Sequence, residues 1–240
     1  MEKEVLIRLL EQLRKRLIII TVSVFLTTIA CFTFIEEIRH LLMLPGVELE
    51  MRMIYLTPSE ALLADLRLSF IAAALVTLPI ILYQVVALIM AVTQRKRRTA
   101  FLLTLAMYIL FILGLGFAYF VALPFALNFF LSFSAEDLVA EFSIARYISF
   151  VTTFLFSFGL VFQLPLVFWF LGSIGILNKE FLRRNRKYAL LIILIFAAIL
   201  TPPDVFSQIL MAIPLMILYE IGTVLVHFAQ KKRAREAAAG

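Results

Sequence analysis

Six long apolar runs govern what this chain can become. They fall near residues 17–35, 68–92, 101–131, 148–176, 188–200 and 209–229, and Glu220 is the only formal charge well inside any of them. An α-helix rises 1.5 Å per residue, so about 20 apolar residues cross the roughly 30 Å hydrocarbon core of a bilayer. With 63% hydrophobic and 16% charged residues among 240, the composition fits lipid as the main solvent and fits no ordinary soluble domain. The fold class that follows is an all-α integral membrane protein with six transmembrane helices. The gaps between runs are too short to fold a soluble domain, so residues 1–240 read as one membrane domain.

Charge in the gaps sets the orientation. The N-terminus, residues 93–99, residues 178–187 and the tail from Gln230 hold 18 of the 22 Lys and Arg. The alternate segments, 36–67, 132–147 and 201–208, hold 10 of the 16 acids. By the positive-inside rule both termini are expected in the cytoplasm. The net charge of +6 lies at helix ends, where topology and anionic lipid account for it, so nucleic acid is not an expected partner. The single cysteine, Cys31, excludes an internal disulfide framework. Cys31 to Ile35 offers no small-residue cleavage site, so the first run reads as a retained helix.

Local signals refine the map. The outer segment 36–67 is expected to turn at Pro45-Gly46, extend near Met51 to Leu56, and start a helix with Ser59 as N-cap. The fifth run, Tyr188 to Leu200, is too short for an ordinary bilayer and needs snorkelling from Arg186 and Lys187 or local thinning. Pro124 is expected to kink or end the long third run, since it donates no backbone hydrogen bond. Pro79, Pro165 and Pro214 interrupt the second, fourth and sixth runs.

Few polar groups sit at membrane depth. Glu220 reads either as a hydrogen-bonded structural carboxyl facing other helices or as a site for substrate or partner, because a charge at the bilayer centre costs about 2.5–3.5 kcal/mol on insertion scales. Gln163, in the middle of the fourth run, can bond across helices. His40, His227 and Cys31 are scattered, and no Gly-rich phosphate loop occurs. The chain is therefore not expected to be an enzyme or to hold a metal or cofactor.

The segment Thr201-Pro202-Pro203-Asp204-Val205-Phe206-Ser207-Gln208, followed by Ala212-Ile213-Pro214 and Leu218-Tyr219-Glu220-Ile221-Gly222, resembles the TatC family. Further similarity lies in Leu13-Arg14-Lys15-Arg16, Leu78 to Gln84, Gly116 to Phe120, Tyr147 to Phe150 and Phe158 to Pro165. The resemblance implies a concave, glove-like six-helix bundle serving protein translocation in the cytoplasmic (inner) membrane. It implies that Gln163 faces the hollow, where many relatives carry Glu. It also implies single-span partners of the TatA and TatB type docking along the fifth and sixth helices, with a second copy of the chain as a further candidate partner. The outer turn of Pro202, Pro203, Asp204, Ser207 and Gln208 belongs to that docking region, with the prolines stopping the fifth helix and Asp204 capping the sixth.

The departures lie on the signal-recognition face. Relatives bind twin-arginine signal peptides through acids in a His-Leu-x-Glu-Leu-Arg pattern and a Leu-Tyr-x-x-Glu-Arg pattern. Here the first reads Leu9-Leu10-Glu11-Gln12-Leu13-Arg14, with Gln12 at the acidic place and Glu11 beside it. The second reads Val92 to Arg98, with Lys96 at the acidic place and no carboxylate anywhere. Carboxylates grip guanidinium in a bidentate fork that Gln and Lys do not reproduce. The expected function is thus a translocase subunit for folded proteins with weakened or altered signal recognition. The alternatives are a TatC-like scaffold binding single-span partners without transport, and a proton-coupled small-solute carrier using Glu220.

Overall fold

The computed structural model describes residues 2–92, 97–132, 141–200 and 205–238. Helices dominate: α1 (Glu2–Thr33), α2 (Ile35–Glu48), α3 (Pro58–Val76), α4 (Leu78–Val92), α5 (Arg97–Phe117), α6 (Leu123–Ser132), α7 (Ile144–Val161), α8 (Leu164–Ile174), α9 (Lys179–Arg184), α10 (Arg186–Leu200) and α11 (Val205–Ala238). Four stretches are long and apolar enough to cross a membrane alone: Leu10–Thr33, Ala100–Ser132, Ile144–Ile174 and Met211–Lys231. Among the described residues the pair α3 and α4, bent by 52°, passes the same test only when its two helices are taken together. The remaining apolar run, the fifth in chain order, is α10, whose 15 residues give only about 22 Å of helix. The short fifth span expected from sequence is therefore present as a short helix. Side chains such as Phe25, Leu26 and Ile29 on α1 stay exposed, as lipid contact allows and water would not.

The prolines act differently from one another. Pro79 follows the bend between α3 and α4, where the Thr77 hydroxyl donates to the Ala73 carbonyl at 2.7 Å. Pro165 opens α8 after a break at Phe162-Gln163. Pro124 neither ends the span nor leaves it regular. The helix widens into a π turn over Ala118–Ala122, the Leu123 N–H reaches back to the Ala118 carbonyl, and α6 continues. A π turn is a recognised way to absorb a lost i→i−4 bond without breaking the helix. Pro214 lies inside an assigned α11.

The chain divides into two compact units. The first comprises residues 1–109 and 134–152. In it α1 packs on α3 and α4, and α2 packs on α3. Two sequence expectations change here. Pro45 and Gly46 lie inside α2 rather than in a turn. Gly46 is needed for space, because a Cβ there would collide with the Met53 methyl and sit 3.1 Å from the Tyr147 hydroxyl. The turn comes later, at Glu50, which takes φ 55 while Met51 N–H bonds the Gly46 carbonyl at 3.0 Å. The cap of α3 is Thr57, in a capping box with Glu60, and not Ser59. Pro58 lacks an N–H and suits the first helical position, which moves the cap one residue upstream of it.

The extended patch near Met51 to Leu56 becomes strand β1 (Arg52–Ile54), paired in parallel with β2 (Glu141–Ser143) in the register Arg52↔Glu141, Met53↔Phe142, Ile54↔Ser143. This small sheet is the one departure from an all-α architecture among the described residues. Glu60 reinforces it from α3. One carboxylate oxygen accepts the N–H of Leu56 at 2.6 Å and of Thr57 at 3.3 Å, and the other accepts the Ser143 hydroxyl and the Ala145 N–H at 3.3 Å. A single side chain thus caps both α3 and α7, and the Tyr147 hydroxyl adds a bond to the Leu42 carbonyl at 3.3 Å.

The second unit comprises residues 110–133 and 153–240. Here α5 and α7 meet through glycines. A Cβ on Gly114 would lie 2.9 Å from the Phe158 carbonyl, and one on Gly159 would lie 2.6 Å from the Phe111 ring. Phe117 stacks between Phe158 and Phe162 at 5.7 and 5.8 Å. The helices α8 and α11 use the same device reciprocally, Val226 sitting over Gly172 and Phe168 over Gly222. Small residues let membrane helices approach until dispersion contacts hold them, since lipid supplies no hydrophobic drive.

Candidate functional site

The sequence singles out three regions, and the structure treats each differently. On α1, Glu11 and Gln12 are both exposed. Consecutive residues on a helix diverge by about 100°, so the two side chains leave α1 in different directions. Beside them Leu10, Leu13, Arg14, Leu17, Ile18, Thr21 and Val22 line an open apolar groove of about 390 Å³. Arg16, one turn further, is committed to α4: its guanidinium donates to the Gln84 side-chain oxygen at 2.8 Å and to the Gln84 carbonyl at 3.2 Å. Gln84 is thereby an anchor between α1 and α4. Lys96 lies outside the described residues.

Gln163 is buried at 7% exposure, at the break between α7 and α8. Its amide nitrogen donates to the Gly159 carbonyl at 3.2 Å. Pro165 provides no N–H for the carbonyl four residues back, and the break leaves α7 carbonyls in need of donors. The amide supplies one of them. This bond closes the α7–α8 break within the second unit and runs along the helix, not across helices.

Glu220 is not isolated. Its carboxylate pairs with the Arg186 guanidinium at 2.8 Å, with 43% and 58% of the side chains exposed. The signal for this pair was available. Arg186 lies 14 residues before Leu200 and Glu220 lies 15 after Val205, so packing α10 and α11 antiparallel places them level. The neighbouring Tyr219 hydroxyl donates to the Leu182 carbonyl at 2.9 Å, and Tyr219 packs edge-on against Phe168 at 5.6 Å. Near the other end of this helix pair, Gln208 donates from its amide to the Leu194 carbonyl at 2.9 Å. Pro202, Pro203 and Asp204 lie outside the described residues. Ser207 belongs to the first turn of α11 by its backbone. The structure thus ties together Glu220, Gln208 and α10, while Glu11 and Gln12 belong to the other unit.

The described residues hold no cluster of three or more His, Cys, Asp or Glu able to grip a metal ion. The site chemistry is that of a binding surface: exposed side chains on α1, polar anchors between helices, and wide apolar faces. Comparison with known proteins gives this surface its context. The family model described as Sec-independent protein translocase protein (TatC) matches residues 8–214. The TatC protein of Carboxydothermus hydrogenoformans is 36% identical over 225 residues, covering 93% of each chain. That of Escherichia coli is 35% identical over 236 residues, covering 96% of this chain and 92% of its own. A crystal structure of a twin-arginine translocase receptor, TatC, superposes with a TM-score of 0.81 at 35% identity, covering 92% of this chain and 99% of that one. Family match, whole-length similarity and shared fold agree, and the chain belongs to the TatC family, as a membrane subunit of the Sec-independent protein translocase and not an enzyme.

Proposed function

We propose that this chain moves folded proteins across the cytoplasmic membrane as a receptor-type subunit whose twin-arginine signal recognition is altered. The observation that carries the reading is the pair Glu11 and Gln12, exposed on α1, with the acid one residue from the place where the family pattern has it. Lys96 replaces the second acid. A guanidinium approaching this face meets one carboxylate, displaced by about 100° around the helix, in place of two. Glu11 is therefore the remaining contact for a signal arginine, and affinity for a twin-arginine signal is weaker than two bidentate pairs provide.

The chain acts as one membrane subunit over residues 1–240, with both termini in the cytoplasm, as the distribution of Lys and Arg between alternate gaps supports. Its partners are single-span proteins of the TatA and TatB type, with a second copy of the chain as a further candidate. Two exposed apolar faces favour them: Leu191, Ile192, Ile195 and Phe196 on α10, and the stripe Ile209, Ile213, Ile217, Ile221 and Phe228 on α11. Residues spaced by about four form a continuous ridge that an apolar helix can pack along.

Crosslinking of a twin-arginine precursor to the purified chain tests the recognition reading. Glu11→Ala should abolish most crosslinking while Gln12→Ala changes it little, and Gln12→Glu with Lys96→Glu should raise it. Strong binding that survives Glu11→Ala but is lost when the signal arginines become lysines would overturn it.

A further inference from the structure

The segment joining α8 to α10 gathers five cations, of which only one forms an ion pair among the described residues. Lys179, Arg183, Arg184, Arg186 and Lys187 fall within nine residues. Arg186 is taken by Glu220 at 2.8 Å, and the Lys187 ammonium lies over the Tyr188 ring at 5.2 Å. Arg183 and Arg184 are exposed and form no ion pair among the described residues, even with Glu180 one turn back on the same helix.

This is not a loose basic loop. Gly175, at φ 86, ends α8 in the left-handed conformation and turns the chain toward α9. The Gln230 amide of α11 donates to the side-chain oxygen of Asn178, the residue that precedes α9, at 2.9 Å. One turn on, Leu182 is buried at 5% exposure and its carbonyl accepts the Tyr219 hydroxyl at 2.9 Å. With Leu182 facing inward, the 100° step puts Phe181 and Arg183 on the two flanks of α9 and Arg184 on the outward side. Phe181, Ile176 and Tyr188 are exposed at 59%, 69% and 55%. Exposed Lys231 follows Gln230 and so lies in the turn of α11 that contacts Asn178.

Cations and exposed aromatics in alternation, at the polar end of a span, are what a bilayer headgroup region accommodates. We infer that α9 and the start of α10, with Lys231, form a fixed site for the phosphate of an anionic phospholipid. Arg183 and Arg184 hold the phosphate, and Phe181 and Ile176 lie against the upper acyl chain. Arginine suits the task because its planar fork grips phosphate oxygens in pairs. Orientation by the positive-inside rule needs only a number of cations and no fixed geometry. Here two inter-helix hydrogen bonds and one ion pair fix the segment before lipid arrives, which lowers the ordering cost of binding.

The test uses the purified full-length chain in neutral detergent, titrated with phosphatidylglycerol or phosphatidylcholine, with bound lipid counted by native mass spectrometry. The unaltered chain should retain phosphatidylglycerol in preference to phosphatidylcholine. Each removed cation weakens binding roughly five-fold, so Arg183→Gln with Arg184→Gln should weaken it about 25-fold. Arg183→Lys with Arg184→Lys should fall between, and Arg146→Gln, at an exposed arginine of the other unit, should change nothing. Circular dichroism of the variants in the same detergent confirms that each is folded. An unchanged preference in the double Gln variant would overturn the site. So would an equal loss in Arg146→Gln, which would mean a general charge effect, or glycerol phosphate binding as well as the lipid. None of these readouts depends on transport, so the site and the translocase reading stand or fall separately.

Discussion

Glu60 shows how much one carboxylate can organise. Its two oxygens serve donors from the start of α3 and from the start of α7, two helices whose first residues are more than eighty positions apart. Glu60→Ala removes all four bonds and leaves helix-end N–H groups without partners. Thermal unfolding in detergent should shift down for Glu60→Ala and by less for Glu60→Gln, which keeps one acceptor oxygen; equal shifts would mean that only one side of the network matters. The Arg186 and Glu220 pair is asymmetric in a different way. Arg186 begins its helix and carries a long stem that can carry its charge to the headgroups, whereas Glu220 is short and lies inside the apolar stretch Met211–Lys231, level with Arg186. Glu220→Ala should therefore cost little, about 1 kcal/mol or less, and Arg186→Ala more, about 1–2 kcal/mol, because it leaves the shorter carboxylate without its partner. Chemical unfolding of the two variants side by side measures the difference.

At the scale of elements, glycines decide how closely helices approach. Gly222 of α11 has the Phe168 ring 2.6 Å from where a Cβ would stand, so Gly222→Ala must push α8 and α11 apart. Overpacking of this kind costs about 1–3 kcal/mol. Gly116 in α5 is the natural control, since a Cβ there meets nothing within 4 Å. Gly116→Ala should be neutral or stabilise by about 0.5–1 kcal/mol through reduced freedom of the unfolded chain. Unfolding midpoints of the two variants should move in opposite directions, and a shared decrease would contradict the packing account. The elements themselves were legible in part. The long apolar helices followed from hydropathy alone, and the short α10 followed from counting. The position of the α3 cap did not, because Ser59 and Thr57 are both good caps and Pro58 between them decides the matter. The helix through Pro45-Gly46 was missed for a related reason. A Pro-Gly pair is a turn signal, and only the contacts of Gly46 with Met53 and Tyr147 show that it marks a close approach instead.

For the whole molecule, membrane thickness is the relevant variable. Its described spans range from 33 residues in Ala100–Ser132 to the 15 of α10. A helix of about 22 Å in a core of roughly 30 Å forces thinning, snorkelling or tilt of its surroundings, at fractions of a kcal/mol per Å of mismatch. Reconstitution in bilayers of increasing acyl-chain length should lower the unfolding temperature progressively, most of all at the longest chains. A flat response would show that α10 does not sense bilayer thickness.

The sequence by itself determined the solvent, the helical membrane class, the shortness of α10 and the family, because each of these rests on hydropathy, charge or motif within a continuous stretch. Gln163 and Glu220 were legible as candidate polar residues inside apolar runs. Only the tertiary structure decided their partners. The parallel pairing of β1 with β2, the reach of Glu60 to Ser143, and the hold of Arg16 on Gln84 join residues separated by 68 to 89 positions. No local period encodes such pairings, since they exist only after intervening helices have packed. The exception is instructive. Arg186 and Glu220 pair across two successive helices packed antiparallel, where equal counting from Leu200 and Val205 fixes the level, and there the sequence already held the answer.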